Sequence, residues 1–316
     1  MRLMILEDLN RRGNTGFSLC HPKDHESAQA LACATALAAS LLFAGVFLLG
    51  RDARPSAPQG ASRVEMAFAA PQKACGVVTV AAAADLIYAM NEMTAQFEKA
   101  SGCTVRLSTG SSGNFFSQIE NGAPFDLFFS ADMEYPKKLE AEGLTMPGSI
   151  WVYGVGKIVL WVRNESRVDL SKGLASLRDS SVRKVAIANP QHAPYGRAAE
   201  EALRRAGAYE AVEERLVLGE NISQAAQFVE SGNADAGILA LSLALSPGLK
   251  AQGRYWKIPE TLYAPLEQGA ALLRASPNPQ AARAFMEFAK TPAAATVLER
   301  YGFTAPAPKQ ERERNP

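Results

Sequence analysis

The segment 76-GVVTVAAAADLIYAMNEMTAQFEKASGCTVRLSTGSSGN-114 decides the fold class of this chain. Val77–Ala82 is a short apolar run of the kind that forms a buried strand, and Thr104–Ser108 predicts a second strand. Between them, apolar residues recur at the spacing of one helix face: Leu86, Met90, Met93 and Phe97. A strand, a helix and a strand in this order indicate two parallel strands joined by a crossover helix.

The same alternation continues outward along the chain. Further strands are predicted at Asp126–Phe129, Ile158–Val162, Lys184–Ala188, Arg215–Leu218, Ala236–Ala240 and Ala270–Arg274. Further helices are predicted from Phe115 to Gly122, over Arg197–Arg205, up to Glu230, over Gln280–Ala289 and over Pro292–Tyr301. The sequence therefore predicts an α/β fold in which mostly parallel sheets carry helices on both faces.

The charge of the chain limits its partners. The 316 residues include 33 basic and 32 acidic ones, which gives a net charge of +1. This balance gives no electrostatic footprint for nucleic acid or for an acidic membrane surface, so we expect no nucleic-acid partner. The three histidines, His21, His25 and His192, have no partner at metal-ligand spacing.

The N-terminal part predicts export. Residues 1–27 form a polar extension, and 28–50 form an uncharged apolar run of about 23 residues, long enough to span a bilayer. We interpret this run as a signal peptide, with a cleavage region at Ala67–Ala70, or as a membrane anchor. Residues 51–75 then form a linker, and 306–316 form a charged tail. Either interpretation places the folded part in the periplasm or otherwise outside the cytoplasm.

Two cysteines precede the first two predicted strands. Cys75 lies before Val77–Ala82 and Cys103 lies before Thr104–Ser108, whereas Cys20 and Cys33 belong to the N-terminal region. If the two strands are parallel neighbours, their starting ends lie side by side and a disulfide fits. An exported protein favours this bridge over the alternative of two unconnected small core residues.

Four strand-to-helix turns are rich in glycine, alanine or hydroxyl residues: Ala81–Leu86, Thr109–Asn114, Asn189–Gly196 and Gly219–Ser223. Small side chains expose backbone N–H groups, and the hydroxyls add further donors. Together with the positive end of a helix dipole, such a turn forms a cradle for an anion. Because ligands of α/β sheets lie beyond the carboxyl ends of the strands, all four turns belong on the binding side.

For any single turn, ordinary helix capping is a sufficient alternative. Asp85 is well placed as the N-cap of the helix after it, and Ser111 and Ser112 can cap theirs. Tyr195 can be a half-buried aromatic residue, and His192 is expected at the surface rather than on a ligand. The presence of four such turns together favours binding.

At this level a family resemblance is visible. It is carried by Ala81–Leu86, Gly110–Asn114, Gln118–Pro124, Asp126–Asp132, Ala188–Gly196 and Tyr301–Phe303. These segments, in this order, resemble the periplasmic molybdate-binding proteins of ABC transporters over roughly residues 76 to 305. The resemblance implies a two-lobed type II periplasmic-binding fold with hinge strands. Lobe 1 would comprise 76–155 and 267–305, and lobe 2 would comprise 156–266.

The resemblance also implies a site and partners. The oxyanion-binding residues would be Ala84, Asp85, Ser111, Ser112, Tyr195 and Ile222. The ligand would be molybdate or tungstate, with molybdenum held only as the oxyanion through these residues and with no cofactor. The chain would act as a monomer, not as an enzyme, and would deliver its ligand to a membrane permease and its ATPase. A dianion that offers only acceptors suits a pocket of uncharged donors, which would favour closure of the two lobes.

Two residues depart from the family pattern. Some members have a tyrosine where this chain has Ala240, a loss shared by a subgroup with a tyrosine in the third turn, as at Tyr195. Many have a serine where this chain has Asp85, and a carboxylate facing a dianion repels it. Either Asp85 turns away to cap its helix and offers only its N–H, or it accepts a proton from a protonated oxyanion. The second alternative suits hydrogen phosphate better than molybdate.

Other functions remain open at this point. The ligand can be another tetrahedral oxyanion such as phosphate or sulfate, and the apolar run can tether a sensor module that keeps the binding fold. A hydrolytic α/β enzyme is a third class, but the sequence has no Gly-x-Ser-x-Gly elbow, Walker loop or dinucleotide fingerprint. His192 can pair with a serine in principle, although nothing in the sequence orients it.

Overall fold

Two five-stranded sheets form the frame of the molecule in the computed structural model, which describes residues 76–306. The predicted extension, signal or anchor, linker, Cys20, Cys33 and Cys75, and all but the first residue of the charged tail, lie outside the described residues. The strands are β1 (Val77–Ala83), β2 (Thr104–Gly110), β3 (Leu127–Ser130), β4 (Trp151–Gly156), β5 (Ile158–Arg163), β6 (Val185–Ala188), β7 (Leu216–Gly219), β8 (Ala236–Ala240), β9 (Gly253–Lys257) and β10 (Leu266–Leu272).

The two sheets repeat one plan. Their strand orders are β2-β1-β3-β10-β4 and β7-β6-β8-β5-β9. In each sheet the fourth strand in this order, β10 or β5, runs antiparallel to both neighbours, and the remaining strands run parallel to one another. We call the part built on the first sheet lobe 1 and the part built on the second lobe 2. The chain crosses between them at Lys157 and along residues 258–265.

Ten helices accompany the strands within residues 76–306. They are α1 (Ile87–Ser101), α2 (Ser112–Glu120), α3 (Glu134–Ala141), α4 (Pro194–Arg205), α5 (Tyr209–Val212), α6 (Ile222–Glu230), α7 (Leu241–Ala244), α8 (Pro247–Gln252), α9 (Pro279–Ala289) and α10 (Pro292–Arg300). Short 3-10 helices cover Ala84–Leu86, Leu170–Arg178, Glu213–Arg215 and Glu260–Leu262.

Strand alternation explains why helices cover both faces of the sheet in lobe 1. Val78 and Val80 of β1 belong to a core cluster that includes residues of α1, α9 and α10. Ala81, the next residue along, belongs to a cluster with residues of α2 and α3. Successive side chains of a strand point to opposite faces, so a strand buried on both sides must be apolar throughout. This confirms the predicted α/β class with two lobes.

Local patterns located most elements but missed some. The strand predicted at Ala270–Arg274 lies instead at Leu266–Leu272. Strands β4 and β9 were not predicted, because glycines interrupt the first (WVYGVG) and polar residues break up the second (GRYWK). Both occupy sheet edges, where one side of the strand has no neighbour to demand an apolar pattern.

Cys103 is disulfide-bonded and buried. Its predicted partner, Cys75, lies outside the described residues, so the pairing itself stays a prediction. Across residues 76–306, no helix combines the length and apolar character needed to cross a membrane.

Candidate functional site

A small cavity lies between the lobes, beyond the carboxyl ends of the strands. All six residues predicted for the site line it: Ala84, Asp85, Ser111, Ser112, Tyr195 and Ile222. The first four come from lobe 1, after β1 and β2, and the last two come from lobe 2, at α4 and α6. The space between the lining atoms is about 200 Å³. The space is small, which suits a small ion rather than a large organic molecule.

Helix N-termini converge on this cavity. Ser112 is the first residue of α2, Tyr195 is the second of α4 and Ile222 is the first of α6. The first N–H groups of a helix have no partner within the helix, and the helix dipole makes this end positive. Apart from Asp85, no residue lining the cavity is charged. The arrangement therefore attracts an anion through backbone and hydroxyl donors rather than through basic side chains.

The two serines of the second turn have different roles. The Ser112 hydroxyl accepts a hydrogen bond from the backbone N–H of Ala131 at 2.9 Å, so its own hydrogen stays available to a ligand. The Ser111 hydroxyl donates to the backbone carbonyl of His192 at 2.7 Å and lies 2.8 Å from its ring Nδ1. Neither side chain caps α2. In this conformation Ser112 can donate into the cavity, whereas Ser111 joins the two lobes.

Asp85 does not cap its helix, which corrects the sequence interpretation. The chain enters α1 through the 3-10 helix Ala84–Leu86, so Asp85 lies inside the turn rather than before it. Its side chain turns inward, where Oδ2 accepts a hydrogen bond from Gln268 Nε2 at 2.8 Å. The residue is 1% exposed, and Oδ1 is a buried oxygen without a hydrogen-bond partner. Burial raises the pKa of this carboxyl group to about 6, although the hydrogen bond from Gln268 opposes the rise.

Two tyrosines complete the surroundings of Asp85. Gln268 Nε2 also donates to the Tyr195 hydroxyl at 2.9 Å, and the Tyr153 hydroxyl donates to Gln268 Oε1 at 2.6 Å. Burial holds the pKa of both tyrosines well above the ordinary value, so both stay neutral. Tyr195 is 2% exposed rather than half-buried, and its hydroxyl links lobe 2 to β10 of lobe 1.

Polar contacts join the lobes around the rim of the cavity. The Gly113 N–H donates to the His192 carbonyl at 2.9 Å, and Asn114 of lobe 1 donates to Glu220 of lobe 2. A Cβ atom at Gly113 would lie 2.7 Å from that carbonyl oxygen, which shows how closely the turns approach. Arg197 of α4 pairs with Asp132, which follows β3. The cleft is therefore closed.

His192 is half-buried and does not line the cavity. It contacts Ser111 through Nδ1, and its Nε2 lies 3.8 Å from Glu220 Oε2, a neighbour that the sequence did not reveal. This separation is too long for a hydrogen bond, and the Ser111 hydroxyl donates to a backbone carbonyl. The three residues therefore lack the bonded chain that activates a serine nucleophile. Within the described part of the chain, no group of three or more His, Cys, Asp or Glu side chains is arranged to hold a metal ion.

Sequence reasoning missed Gln268 and Tyr153. Gln268 lies 183 residues from Asp85, on a strand that was predicted to begin two residues later. Its register against β4 shifts between Gln268 and Gly269, a bulge of the kind that redirects side chains near sites. No local pattern marks such a residue.

Comparisons with known proteins agree with this architecture. The profile of the family described as bacterial extracellular solute-binding protein matches residues 78–304. The molybdate-binding protein ModA of Rhodobacter capsulatus is 43% identical over 230 residues, which cover 73% of this chain and 89% of that protein. ModA of Azotobacter vinelandii is 42% identical over 246 residues, 77% of this chain and 97% of that protein. The solved periplasmic molybdate-binding protein of Azotobacter vinelandii superposes with a TM-score of 0.68 at 35% identity, covering 72% of this chain and 99% of its own.

Proposed function

This chain belongs to the bacterial extracellular solute-binding proteins, and on that premise we propose that it captures molybdate or tungstate for an ABC importer. One observation carries the choice of ligand class. Uncharged donors from four turns and both lobes surround a cavity of about 200 Å³ that has no basic lining residue. A tetrahedral dianion offers only acceptors, and such donors match it without a cation.

The donors of the cavity assign the roles of the site residues. Ser112 offers a hydroxyl hydrogen, and Asp85, Tyr195 and Ile222 offer backbone N–H groups at the starts of helical turns. Ala84 allows close approach of the backbone, and Ser111 fixes the closed position of its turn. No residue undergoes covalent chemistry in this scheme.

Closure couples binding to delivery. Lobe 1 and lobe 2 each supply part of the cavity wall, so a bound anion interacts with both only in the closed state. A ligand that binds one state more tightly shifts the population toward it. We propose that a membrane permease with its ATPase recognises this closed monomer outside the cytoplasm, after export or anchoring through residues 28–50.

Phosphate is the second candidate, and Asp85 is the observation that favours it. A buried carboxylate with an unpaired oxygen can accept a hydrogen bond from the proton of hydrogen phosphate. Molybdate has no proton to offer and cannot make this bond. Molybdate remains the first choice because the lining is otherwise uncharged and presents donors from the Ser112 hydroxyl and from helix N-termini.

A thermal-shift titration tests the ligand assignment. Molybdate, tungstate, sulfate and phosphate are added at equal ionic strength, and the melting temperature is followed for each. We expect molybdate and tungstate to raise it most, because a ligand that binds only the folded state stabilises it more when, at the same concentration, it binds more tightly. A phosphate shift equal to or larger than the molybdate shift would contradict the assignment.

A further inference from the structure

We propose that Asp85 takes up one proton from solvent when a fully deprotonated oxyanion binds, which converts its carboxyl group into a hydrogen-bond donor and makes affinity pH-dependent. The inference rests on the proposed function, because it concerns the same cavity. It differs from both alternatives raised by the sequence, in which Asp85 either caps a helix or accepts a proton from the ligand.

The first argument is geometric. Asp85 lines the cavity and is 1% exposed, and its Oδ2 is engaged by Gln268. Oδ1 is buried without a partner, so an ionised Asp85 leaves an acceptor unsatisfied beside a ligand that is itself only an acceptor. A proton on Oδ1 removes this mismatch, since a carboxylic acid has one O–H donor.

The second argument is the charge balance of the surroundings. The groups that face the carboxyl group are Gln268 from β10, Tyr195 from α4 and Tyr153 from β4, all uncharged. Asp132 acts electrostatically on Tyr153 rather than on Asp85, and its charge is paired with Arg197 of α4. Among the described residues, no Lys, Arg or His forms an ion pair with Asp85.

Within residues 76–306, the other elements that pack against this turn place no cation in an ion pair with the carboxyl group. Helix α7 supplies Ser242, whose hydroxyl donates to the Asp85 backbone carbonyl at 2.8 Å. Arg106 of β2 lies opposite Thr79 of β1 in the sheet. This position is four residues before the Ala83–Gly110 pair at the cavity end of the strands, so Arg106 does not lie at the cavity end. Glu230, the charged residue of α6, lies at the far end of that helix from the cavity, because the first residue of α6 is the one that lines it.

The proton balance follows from these surroundings. An ionised Asp85 together with a dianion would place three negative charges in a cavity whose other lining residues are uncharged. Uptake of one proton by the carboxylate leaves only the charge of the ligand, and no bond in the oxyanion breaks. Burial already raises the pKa of this group to about 6 without a ligand, and a bound dianion raises it further.

Isothermal titration calorimetry with molybdate tests the proposal on the exported chain. Each titration is run in two buffers of different ionisation enthalpy, between about pH 5 and about pH 8.5, so that the protons taken up per ligand are measured directly. We expect close to one proton at the alkaline end and close to none at the acidic end. The Kd should rise about tenfold for each pH unit above about 6.

Two variants separate Asp85 from other groups. Asp85→Asn keeps the acceptor for Gln268 and places an amide N–H₂ where Oδ1 stood, so its Kd should be independent of pH and its proton uptake absent. His192→Gln is the control, because this side chain contacts Ser111 at the rim but does not line the cavity, and it should keep the wild-type pH dependence. If Asp85→Asn fails to fold, the carboxyl carbon of Asp85 is followed by NMR in the wild type, with and without molybdate.

The outcomes are distinct. Binding with a flat pH profile and no proton uptake, or an Asp85→Asn variant that still takes up a proton, overturns this inference and leaves the proposed function standing. A wild-type protein that binds no molybdate even at acidic pH overturns the proposed function itself. Proton uptake from the buffer with molybdate supports the inference, because the proton on Asp85 then comes from solvent. With phosphate we expect no uptake, because the ligand itself brings the proton.

Discussion

The sheet of lobe 1 buries an aspartate at each end, but the two are satisfied very differently. Asp126, before β3, is fully buried and accepts hydrogen bonds from Thr79 N at 2.7 Å, Ser276 Oγ at 2.5 Å and Asn278 N at 3.0 Å. Asp85, after β1, has an unpaired oxygen and a pKa raised to about 6. A buried carboxylate with enough donors stabilises the fold. One without them destabilises it, and such groups are found mainly at functional sites.

The sharpest test of this contrast is Asp126→Asn. The amide cannot accept all the bonds that the carboxylate accepts, and its N–H₂ group faces donors. With two or more buried groups left unsatisfied, the free energy of unfolding should fall by roughly 3–5 kcal/mol, as measured by chemical denaturation. A loss below about 1 kcal/mol would show that the two aspartates are not different in this respect.

Asp85→Asn should have the opposite sign and depend on pH. The pKa of Asp85 is about 6 in the folded state and 3.8 in the unfolded chain, so the folded state holds the proton more tightly. Wild-type stability therefore falls as the pH rises from about 4 through about 6. The variant escapes this loss. Its advantage should be near zero below pH 4 and reach about 3 kcal/mol above pH 7, which is the difference between a pKa of about 6 and one of 3.8 expressed as free energy.

Denaturation curves of wild type and Asp85→Asn at several pH values measure this difference. An advantage that is the same at every pH would mean that the carboxyl group is not the source of the effect.

Ser112→Ala extends the contrast to the ligand and has the smallest expected effect. The change removes one donor from the anion and also leaves the Ala131 N–H without its acceptor. Affinity for molybdate should weaken by roughly 1–3 kcal/mol, measured by calorimetry. Ser117→Ala, on the exposed side of the same helix, is the matched control and should bind like wild type. An unchanged affinity in Ser112→Ala would remove this hydroxyl from the site.

Much of the fold was predictable because most strands and helices have a recognisable local pattern of apolar residues. The strand at Ala236–Ala240 and the helices at Gln280–Ala289 and Pro292–Tyr301 match the observed elements to within a residue. Apolar runs and helical spacing report burial directly, since each strand or helix must hide its own apolar face. Sheet edges were less predictable, because a half-exposed strand such as β9 tolerates polar residues.

The site was predictable in part for the same reason. Turns such as Thr109–Asn114 combine a strand end, small residues and a helix start, and that chemistry is local. The side-chain role of Asp85 was not predictable in this way. An N-cap and an inward carboxyl group have the same sequence signature, and only the 3-10 turn decides between them.

The sequence by itself determined the order of strands and helices, the four anion-cradling turns and the family to which they belong. The tertiary structure alone decided that Gln268 and Tyr195 meet at Asp85, that His192 joins the lobes through Ser111, and that no cation among residues 76–306 forms an ion pair with the carboxyl group. The physical reason is range: periodicity and capping act over a few residues, whereas the pKa of a buried group depends on whatever the fold brings to it from distant parts of the chain.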